Sequence, residues 1–372
     1  MSKSALVKYR FLGKQGGLEK QAFKIIDELV NRGHEVTLIS SQTIKYKSIK
    51  SVKISSRAPK GFLTLLFFDK KVKKYLKINP FDSILALDRT SFHTHIRAGN
   101  GCHRAYLELR RQKSGFFKRF SFFFNPLHAC LMYLEKKGFL APTTKKIFVN
   151  SELVKNQIVT CYPVANDLIE VIHNGVDWHT AQSCFDKWQE TKLEWIGKLK
   201  LNPLLKTCIF VGHDFKRKGL ECVIKAIVHA PNVQLLVIGQ DKRIEKYETL
   251  MKKLGLSDRV TFLDCFTDVN PFYAVADALI LPTLYDPFAN VTLEALCMGV
   301  PVYTSSTNGA SEIIQPFAGK SFDITIASEA LITILQSIEF KNIESADRIR
   351  QSIKHLDNSS QLFRLIDILC KH

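Results

Sequence analysis

Residues 207–219 read TCIFVGHDFKRKG and carry the clearest indication of the fold. The run 207–211 is apolar or β-branched and predicts a buried strand, which ends at Gly212. Three consecutive cations follow at 216–218, and after Gly219 apolar residues recur at helical spacing. A strand that leads through a short polar loop into a helix is typical of α/β proteins, in which ligands bind at the carboxyl ends of the strands.

The same alternation of strands and helices continues on both sides of this segment. The predicted later strands are 233–238, 260–263, 278–281 and 301–303. The predicted helices between and around them are 219–229, 245–254 and 290–298. Upstream, a helix from residue 17, a turn at Gly33 and a strand at 35–39 repeat the pattern. The sequence therefore predicts an α/β protein with two doubly wound parallel sheets that face each other across a cleft, where a ligand would bind.

The chain length of 372 residues fits two domains. We expect one domain at 1–175, completed by a C-terminal helix at about 355–372, and a second domain at 205–350. The polar stretch 176–204, which is rich in Lys and Trp, is the expected linker.

The charge lies almost entirely in the N-terminal part. Residues 1–150 hold 30 Lys and Arg against 9 Asp and Glu, whereas residues 151–372 hold 23 against 26. Such asymmetry indicates an anionic partner, although a solvated lysine-rich surface would also produce it. Nucleic acid is the less favoured partner because the sequence has no helix-turn-helix, zinc or RNA-binding signature.

Composition excludes other classes of protein. No stretch approaches ~18 uninterrupted apolar residues, so no transmembrane helix is expected, and residues 1–13 contain no long apolar run typical of a secretory signal. The nine cysteines include no C-x-x-C pair, which indicates free thiols in a reducing compartment and no metal site.

The cations of the first segment predict an anion site. Arg217 and Lys218 lie beside a helix N-terminus, with Gly212 and His213 at the end of the preceding strand, and a diphosphate is the natural ligand of such a site. A solvated basic loop is the alternative interpretation.

Two acidic residues lie eight positions apart in the segment 286–294, DPFANVTLE. Asp286 follows a strand and can accept hydrogen bonds from sugar hydroxyls, whereas Glu294 lies one turn into the next helix and can accept from a ribose. The amides near the helix start, which predict a second phosphate site, are those of Phe288, Ala289 and Asn290. Stabilisation of the helix dipole would explain Asp286 alone, but not Glu294 among apolar neighbours.

Together these segments resemble the family-4 retaining GT-B glycosyltransferases, and most closely the lipopolysaccharide core glucosyltransferases among them. The motifs that carry the resemblance occur in the family's order and are 16–19 (GGLE), 173–177 (HNGVD), 212–219, 237–242 (VIGQDK) and 286–301. The resemblance covers nearly the whole chain and is strongest at 205–315. It implies the GT-B fold of two Rossmann-like domains. It also implies a hexosyltransferase that transfers glucose from UDP-glucose to a lipopolysaccharide core or similar lipid-linked saccharide. By the same resemblance, the enzyme would require no cofactor and no metal.

The resemblance also implies that the domain at 1–175, with the helix at about 355–372, is the acceptor-binding domain and that the domain at 205–350 is the nucleotide-sugar-binding domain. It further implies roles for single residues. Arg217 and Lys218 would hold the donor diphosphate, Glu294 the ribose and Asp286 the transferred sugar. The backbone at Gly16 and Gly17 would pass close to the donor phosphate and the acceptor.

Three positions depart from the family pattern. The family usually has Glu where Asp286 stands, and many members have Arg where His213 stands, which leaves that charge to Arg217. Many relatives have His or Asp where this chain has Asn100, with His103 three residues later; Asn cannot act as a base. The alternative is a related glycosyltransferase with another donor, such as GDP-mannose or UDP-N-acetylglucosamine, or with another lipid-linked acceptor.

The segment 110–137 mixes Lys and Arg with Phe, a composition that suits contact with anionic lipid. A core helix with a basic outer face would look the same. The first interpretation predicts a cytoplasmic protein bound peripherally to the inner face of the cytoplasmic membrane, acting on a phosphorylated acceptor.

Overall fold

The computed structural model describes residues 2–11, 17–47, 49–55, 61–112, 125–264, 266 and 268–371. The chain divides into two compact units. Unit 1 comprises the residues up to His173 together with those from Ser359 onward, and unit 2 comprises Asn174–Asn358. No helix within the described ranges is both long and apolar enough to span a bilayer.

Unit 1 is built around seven parallel strands of the described chain, in the order β3-β2-β1-β4-β5-β6-β7. Its elements up to His173 are β1 (Lys3–Val7), α1 (Gly17–Asn31), β2 (Glu35–Ser40), β3 (Lys50–Lys53), α2 (Phe62–Ile78), β4 (Ser83–Ala86), β5 (His95–Arg97), α3 (His103–Gln112), α4 (Pro126–Phe139), β6 (Lys146–Val149), α5 (Glu152–Cys161) and β7 (Ile169–Val171). The strand order reverses direction between β1 and β4, and such a switch point is where open α/β sheets bind ligands.

Unit 2 is built around a second parallel sheet, with the described strands in the order β10-β9-β8-β11-β12-β13. Its elements are α6 (Gln182–Asp186), α7 (Trp188–Lys198), β8 (Lys206–Val211), α8 (Phe215–Lys218), α9 (Leu220–Ile227), β9 (Val233–Ile238), α10 (Ile244–Lys253), β10 (Val260–Leu263), α11 (Asn270–Val275), β11 (Ala278–Leu281), α12 (Asn290–Cys297), β12 (Val302–Ser305), β13 (Gly319–Phe322), α13 (Ala327–Ser337) and α14 (Ile343–Ser352).

The predicted fold class is confirmed, because both sheets are parallel and interleaved with helices. Strands β9, β10 and β11 have the bounds that their apolar runs predict. Every residue of β9 and β11 is buried, since helices cover both faces of the sheet, and this is why those strands read as continuous apolar runs.

The segment 176–204 is not an extended linker. It forms α6 and α7 and belongs to unit 2. Trp178, Phe185 and Trp188 are at most 6% exposed and lie in the apolar core of that unit. The sequence pattern is misleading here because Lys187, Lys198 and Lys200 are exposed while these three aromatic rings are buried.

The last helix, α15 (Asn358–Lys371), returns the chain to unit 1. Leu365, Ile366 and Leu369 are buried in a core cluster that includes residues of β1 and α1. Arg32, the residue after α1, forms an ion pair with Asp367 at 2.5 Å. Helix α15 therefore completes the apolar core of unit 1 and is also held to it by this ion pair.

Candidate active site

The loop after β8 has a backbone shaped by residues with positive φ. Asp214 has φ 56°, and its side chain accepts a hydrogen bond from the Arg217 amide at 3.3 Å, which starts α8. Gly219 ends α8 with φ 83°, and a Cβ atom at that position would lie 2.2 Å from the carbonyl oxygen of Pro282. Only glycine permits this approach, which holds the loop against the residue that follows β11.

The three cations therefore lie on the short helix α8, where the sequence predicts a loop before a single helix. Their surroundings differ: Lys216 is exposed, Arg217 is half-buried and Lys218 is only 7% exposed. A solvated basic loop does not bury a lysine, because removing an ammonium group from water is costly unless it is paired.

Asp286 is the carboxylate that pairs with the inner two cations. Lys218 Nζ lies 2.6 Å and Arg217 Nη1 3.2 Å from the same oxygen, Oδ2, and Arg217 Nη1 also donates to the Tyr285 carbonyl at 2.8 Å. Asp286 is itself only 9% exposed. The three side chains carry one net positive charge in a poorly solvated place. Arg217 Nε also lies 3.3 Å from Asp214 Oδ2, but that carboxylate is 53% exposed and water screens it, so the cluster still favours a further anion.

Gly212 makes room for this cluster. Its amide donates to the Ile238 carbonyl at 2.9 Å, and a Cβ atom there would lie 3.3 Å from Lys218 Cε, so the lysine stem crosses the strand end at close range. His213 is exposed, and its Nδ1 lies 3.4 Å from the main chain of Gln240 at the end of β9.

The start of α12 is occupied by side chains of the protein. The Phe288 amide donates to Asp286 Oδ1 at 3.2 Å, and the Ala289 amide donates to Asn308 Oδ1 at 3.1 Å. The side chain of Asn290 accepts from Asn174 at 2.7 Å. Two of the three amides therefore already have acceptors within the protein, which an incoming phosphate would have to share or displace.

Glu294 lies on α12 and is half-buried. The Tyr273 hydroxyl donates to its Oε2 at 2.9 Å. Burial raises the pKa of Tyr273 well above its usual value, so this hydroxyl keeps its proton and fixes the carboxylate. Sequence reasoning identifies the acid but not Tyr273, whose aromatic side chain reads as an ordinary core residue.

The remaining candidates belong to unit 1. Gly16 lies outside the described residues, and Gly17 is the first residue of α1. Asn100 is exposed in the loop after β5, and His103 is the first residue of α3. Within unit 2 the structure brings Arg217, Lys218 and Asp286 into contact.

His103 is held by a network that the sequence does not reveal. Its amide donates to Glu135 at 2.8 Å, and its ring Nε2 lies 3.1 Å from His128 Nδ1. Burial, assisted by the nearby charge of Arg89, lowers the pKa of His103 to about 4, so the ring is neutral at pH 7.

Glu135 is the centre of that network. It is completely buried and accepts from the Arg89 guanidinium at 2.8 Å and from the Tyr162 hydroxyl at 2.9 Å. One signal could have identified it, because Glu135 is the only acid between residues 109 and 151.

Comparisons with known proteins agree with this architecture. Residues 191–355 match the family described as glycosyl transferases group 1, and residues 15–179 match Glycosyltransferase Family 4. An uncharacterised glycosyltransferase of Methanocaldococcus jannaschii is 27% identical over 323 residues, which are 81% of this chain and 79% of that protein.

Two further proteins are similar over most of their length. The lipopolysaccharide glucosyltransferase WaaG of Escherichia coli is 23% identical over 306 residues, 80% of this chain and 79% of that protein. A crystal structure of WaaG superimposes with a TM-score of 0.76 at 21% identity and covers 98% of this chain and 99% of that one. Anabaena HepE in complex with UDP-glucose superimposes with a TM-score of 0.66 at 16% identity over 100% of both chains.

Proposed function

Because the chain belongs to the GT-B glycosyltransferases, with a family 4 match in its first half and a group 1 match in its second, we propose that it transfers glucose from UDP-glucose with retention of configuration. The acceptor is a phosphorylated, lipid-linked saccharide of the lipopolysaccharide core type. The observation that carries the proposal is the cluster that the buried Lys218 and Asp286 form with the half-buried Arg217. It offers fixed positive charge at the carboxyl end of β8, where an α/β sheet binds its ligand.

The donor is assigned to unit 2. Arg217 and Lys218 bind the diphosphate, Glu294 accepts from the ribose and Asp286 accepts from a hydroxyl of the glucose. Both cations lie on Asp286 Oδ2, whereas Oδ1 accepts one hydrogen bond, from the Phe288 amide. Because a carboxylate oxygen can accept two hydrogen bonds, Oδ1 can also accept from a sugar hydroxyl. UDP-glucose is favoured as the donor by its presence in the HepE structure and by the glucosyltransferase activity in the name of WaaG.

The reaction follows from where charge develops. As the bond between glucose C1 and the β-phosphate oxygen breaks, negative charge builds on UDP, and the fixed cations stabilise it electrostatically. The acceptor hydroxyl oxygen forms its bond to C1 on the face that UDP leaves, and its proton passes to the departing β-phosphate. The configuration at C1 is then retained without a covalent intermediate on the enzyme.

A basic face of unit 1 supports contact with a membrane. Helix α2 carries five exposed lysines, at 70, 71, 73, 74 and 77, beside the exposed ring of Phe67. Helix α4 lies alongside and adds the exposed Tyr133 with Lys136 and Lys137. Of the segment 110–137, residues 113–124 lie outside the described part of the chain. We assign this face to the anionic inner surface of the cytoplasmic membrane.

The nucleotide assignment is tested by calorimetric titration of the full chain with UDP, GDP and a short DNA duplex. We expect UDP to bind at least ~10-fold more tightly than GDP and the duplex to show no comparable binding. Tighter binding of GDP would favour GDP-mannose as the donor, and duplex binding without nucleotide binding would refute the enzyme assignment of the cluster.

The membrane assignment is tested by co-sedimentation with vesicles of phosphatidylcholine alone or mixed with phosphatidylglycerol, at low and high salt. We expect binding only to the mixed vesicles at low salt. The double variant Lys73→Glu/Lys77→Glu should weaken it by ~30-fold or more, because each cation near the surface contributes about 1 kcal/mol. Lys252→Glu/Lys253→Glu, which reverses two exposed charges in unit 2, is the control. Equal binding to both vesicle types would contradict the assignment.

A further inference from the structure

Unit 1 contains a small polar pocket at the carboxyl ends of β4 and β5. It has a cavity volume of about 20 Å³, room for one water molecule or one oxygen of an oxyanion, and is partly open to solvent. Its polar lining comprises Asp88, Arg89, Arg97 and Asn100.

The pocket adjoins the switch point of the sheet. Asp88 follows β4, and its Oδ2 accepts from the Tyr9 amide at 2.8 Å, just beyond the end of β1. This hydrogen bond joins the two strands at which the strand order reverses. Open α/β sheets bind their ligands at that place, so the pocket lies where a substrate of unit 1 is expected.

Arg97 brings a buried positive charge to the pocket. It is the last residue of β5 and is only 4% exposed. Burial lowers the pKa of its guanidinium to about 10, which still leaves it charged at neutral pH. Because the cavity has room for one oxygen, the guanidinium can meet one oxygen of a carboxylate or phosphate through a charge-assisted hydrogen bond.

Arg89 is fixed in place and already balanced. Its Nε lies 2.8 Å from Glu135, and its Nη2 donates to the Gly101 carbonyl at 3.1 Å. Because Glu135 balances Arg89, the charged groups that the lining presents to a ligand are one cation, Arg97, and one carboxylate, Asp88. A cation beside a half-buried carboxylate suits a ligand that has both an anionic group and hydroxyls, because Asp88 repels a second anion but accepts from a hydroxyl.

We propose that this pocket binds the phosphate or carboxylate of an acidic acceptor sugar, with Arg97 holding the oxyanion and Asp88 accepting from a neighbouring hydroxyl. The inference rests on the proposed function in one respect, that unit 1 receives the acceptor. Both substituents present an anionic oxygen to the guanidinium, and the experiment separates them.

The test is calorimetric titration of the full chain, with UDP at saturating concentration so that Arg217 and Lys218 are occupied. The probes are glucose 6-phosphate, glucuronate and glucose. We expect one or both acidic sugars to bind at least ~10-fold more tightly than glucose, and the stronger of the two to identify the substituent.

The variants are Arg97→Gln, which removes the charge, and Arg97→Lys, which keeps the charge but loses the planar fork. We expect a loss of affinity of at least ~10-fold in the first and a smaller loss in the second. Arg104→Gln removes an exposed arginine of the neighbouring helix α3 and should change nothing. If Arg97→Gln does not fold, as a thermal melt would show, Arg97→Lys decides alone.

The proposal is overturned if neither acidic sugar binds, if glucose binds equally well, or if the folded Arg97 variants keep the affinity of the parent chain. A failure of UDP itself to bind would instead overturn the donor assignment, so the two failures are distinguishable.

Discussion

Replacing Lys218 with Ala removes the most buried cation of the proposed donor site. Lys218 Nζ lies 2.6 Å from Asp286 Oδ2, and the next cation, Arg217, lies 3.2 Å from that oxygen. If these cations stabilise the departing diphosphate, the loss of one of them should reduce turnover by ~10²-fold or more, the scale observed when one preorganised charge contact is deleted.

The same change affects stability, and the two effects must be separated. Asp286 is 9% exposed and would keep only Arg217 and the Phe288 amide as partners. Breaking a buried ion pair costs ~3–5 kcal/mol when the remaining charge is left unpaired. Because Asp286 keeps Arg217, the loss should be smaller than that, but the melting temperature should still fall. In the double variant Lys218→Ala/Asp286→Ala most of that stability should return, whereas turnover should not.

The assay is release of UDP from UDP-glucose in the presence of truncated lipopolysaccharide cores. Lys216→Ala is the matched control, because Lys216 is a neighbouring but exposed cation, and its turnover should stay within ~2-fold. The reasoning is refuted if folded Lys218→Ala stays within ~3-fold of the parent enzyme, or if Lys216→Ala loses as much activity.

Further predictions concern nucleotide binding, loop geometry and pH. Glu294→Gln should weaken UDP binding by ~10-fold or more in calorimetry, since each charge-assisted hydrogen bond contributes ~1.5–3 kcal/mol. Tyr273→Phe should weaken UDP binding less. Unchanged affinity in Glu294→Gln would show that Glu294 has only a structural role. Gly219→Ala should lower the melting temperature, because a Cβ would lie 2.2 Å from the Pro282 carbonyl oxygen; an unchanged melt would contradict the close approach. His93 is fully buried and its pKa is lowered to about 3, so the unfolded chain binds a proton that the folded chain does not. The free energy of unfolding measured with urea should therefore fall by up to about 1.4 kcal/mol per pH unit, from His93 alone, as the pH drops below ~6.5. His93→Asn should flatten this dependence of unfolding free energy on pH. An equal slope in both proteins would contradict the prediction.

Much of unit 2 could be predicted because burial on both faces leaves a local signature. Strands β9 and β11 are continuous apolar runs that end at Gly239 and Pro282, and their bounds follow from those runs. The segment 176–204 could not be predicted in this way, because burial of Trp178 and Trp188 depends on distant partners that local composition does not reveal.

In the candidate site, too, single residues could be predicted from local sequence but their distant contacts could not. Arg217, Lys218 and Asp286 are recognisable as charged residues beside strand ends. Their mutual pairing is not, since Asp286 lies 68 residues from Lys218 and meets it only because β8 and β11 are neighbours in the sheet. Glu135 was missed for a related reason: a single acid on a basic helix looks solvated until its distant partners, such as Arg89, are known.

The reaction itself provides the decisive measurement. The enzyme is incubated with UDP-glucose, UDP-N-acetylglucosamine or GDP-mannose and truncated lipopolysaccharide cores, and the product is analysed by mass spectrometry and by NMR of the new anomeric carbon. We predict transfer of one glucose from UDP-glucose in the α configuration that the donor carries. Transfer from another nucleotide sugar in place of UDP-glucose, or a β linkage in the product, would contradict the proposed function.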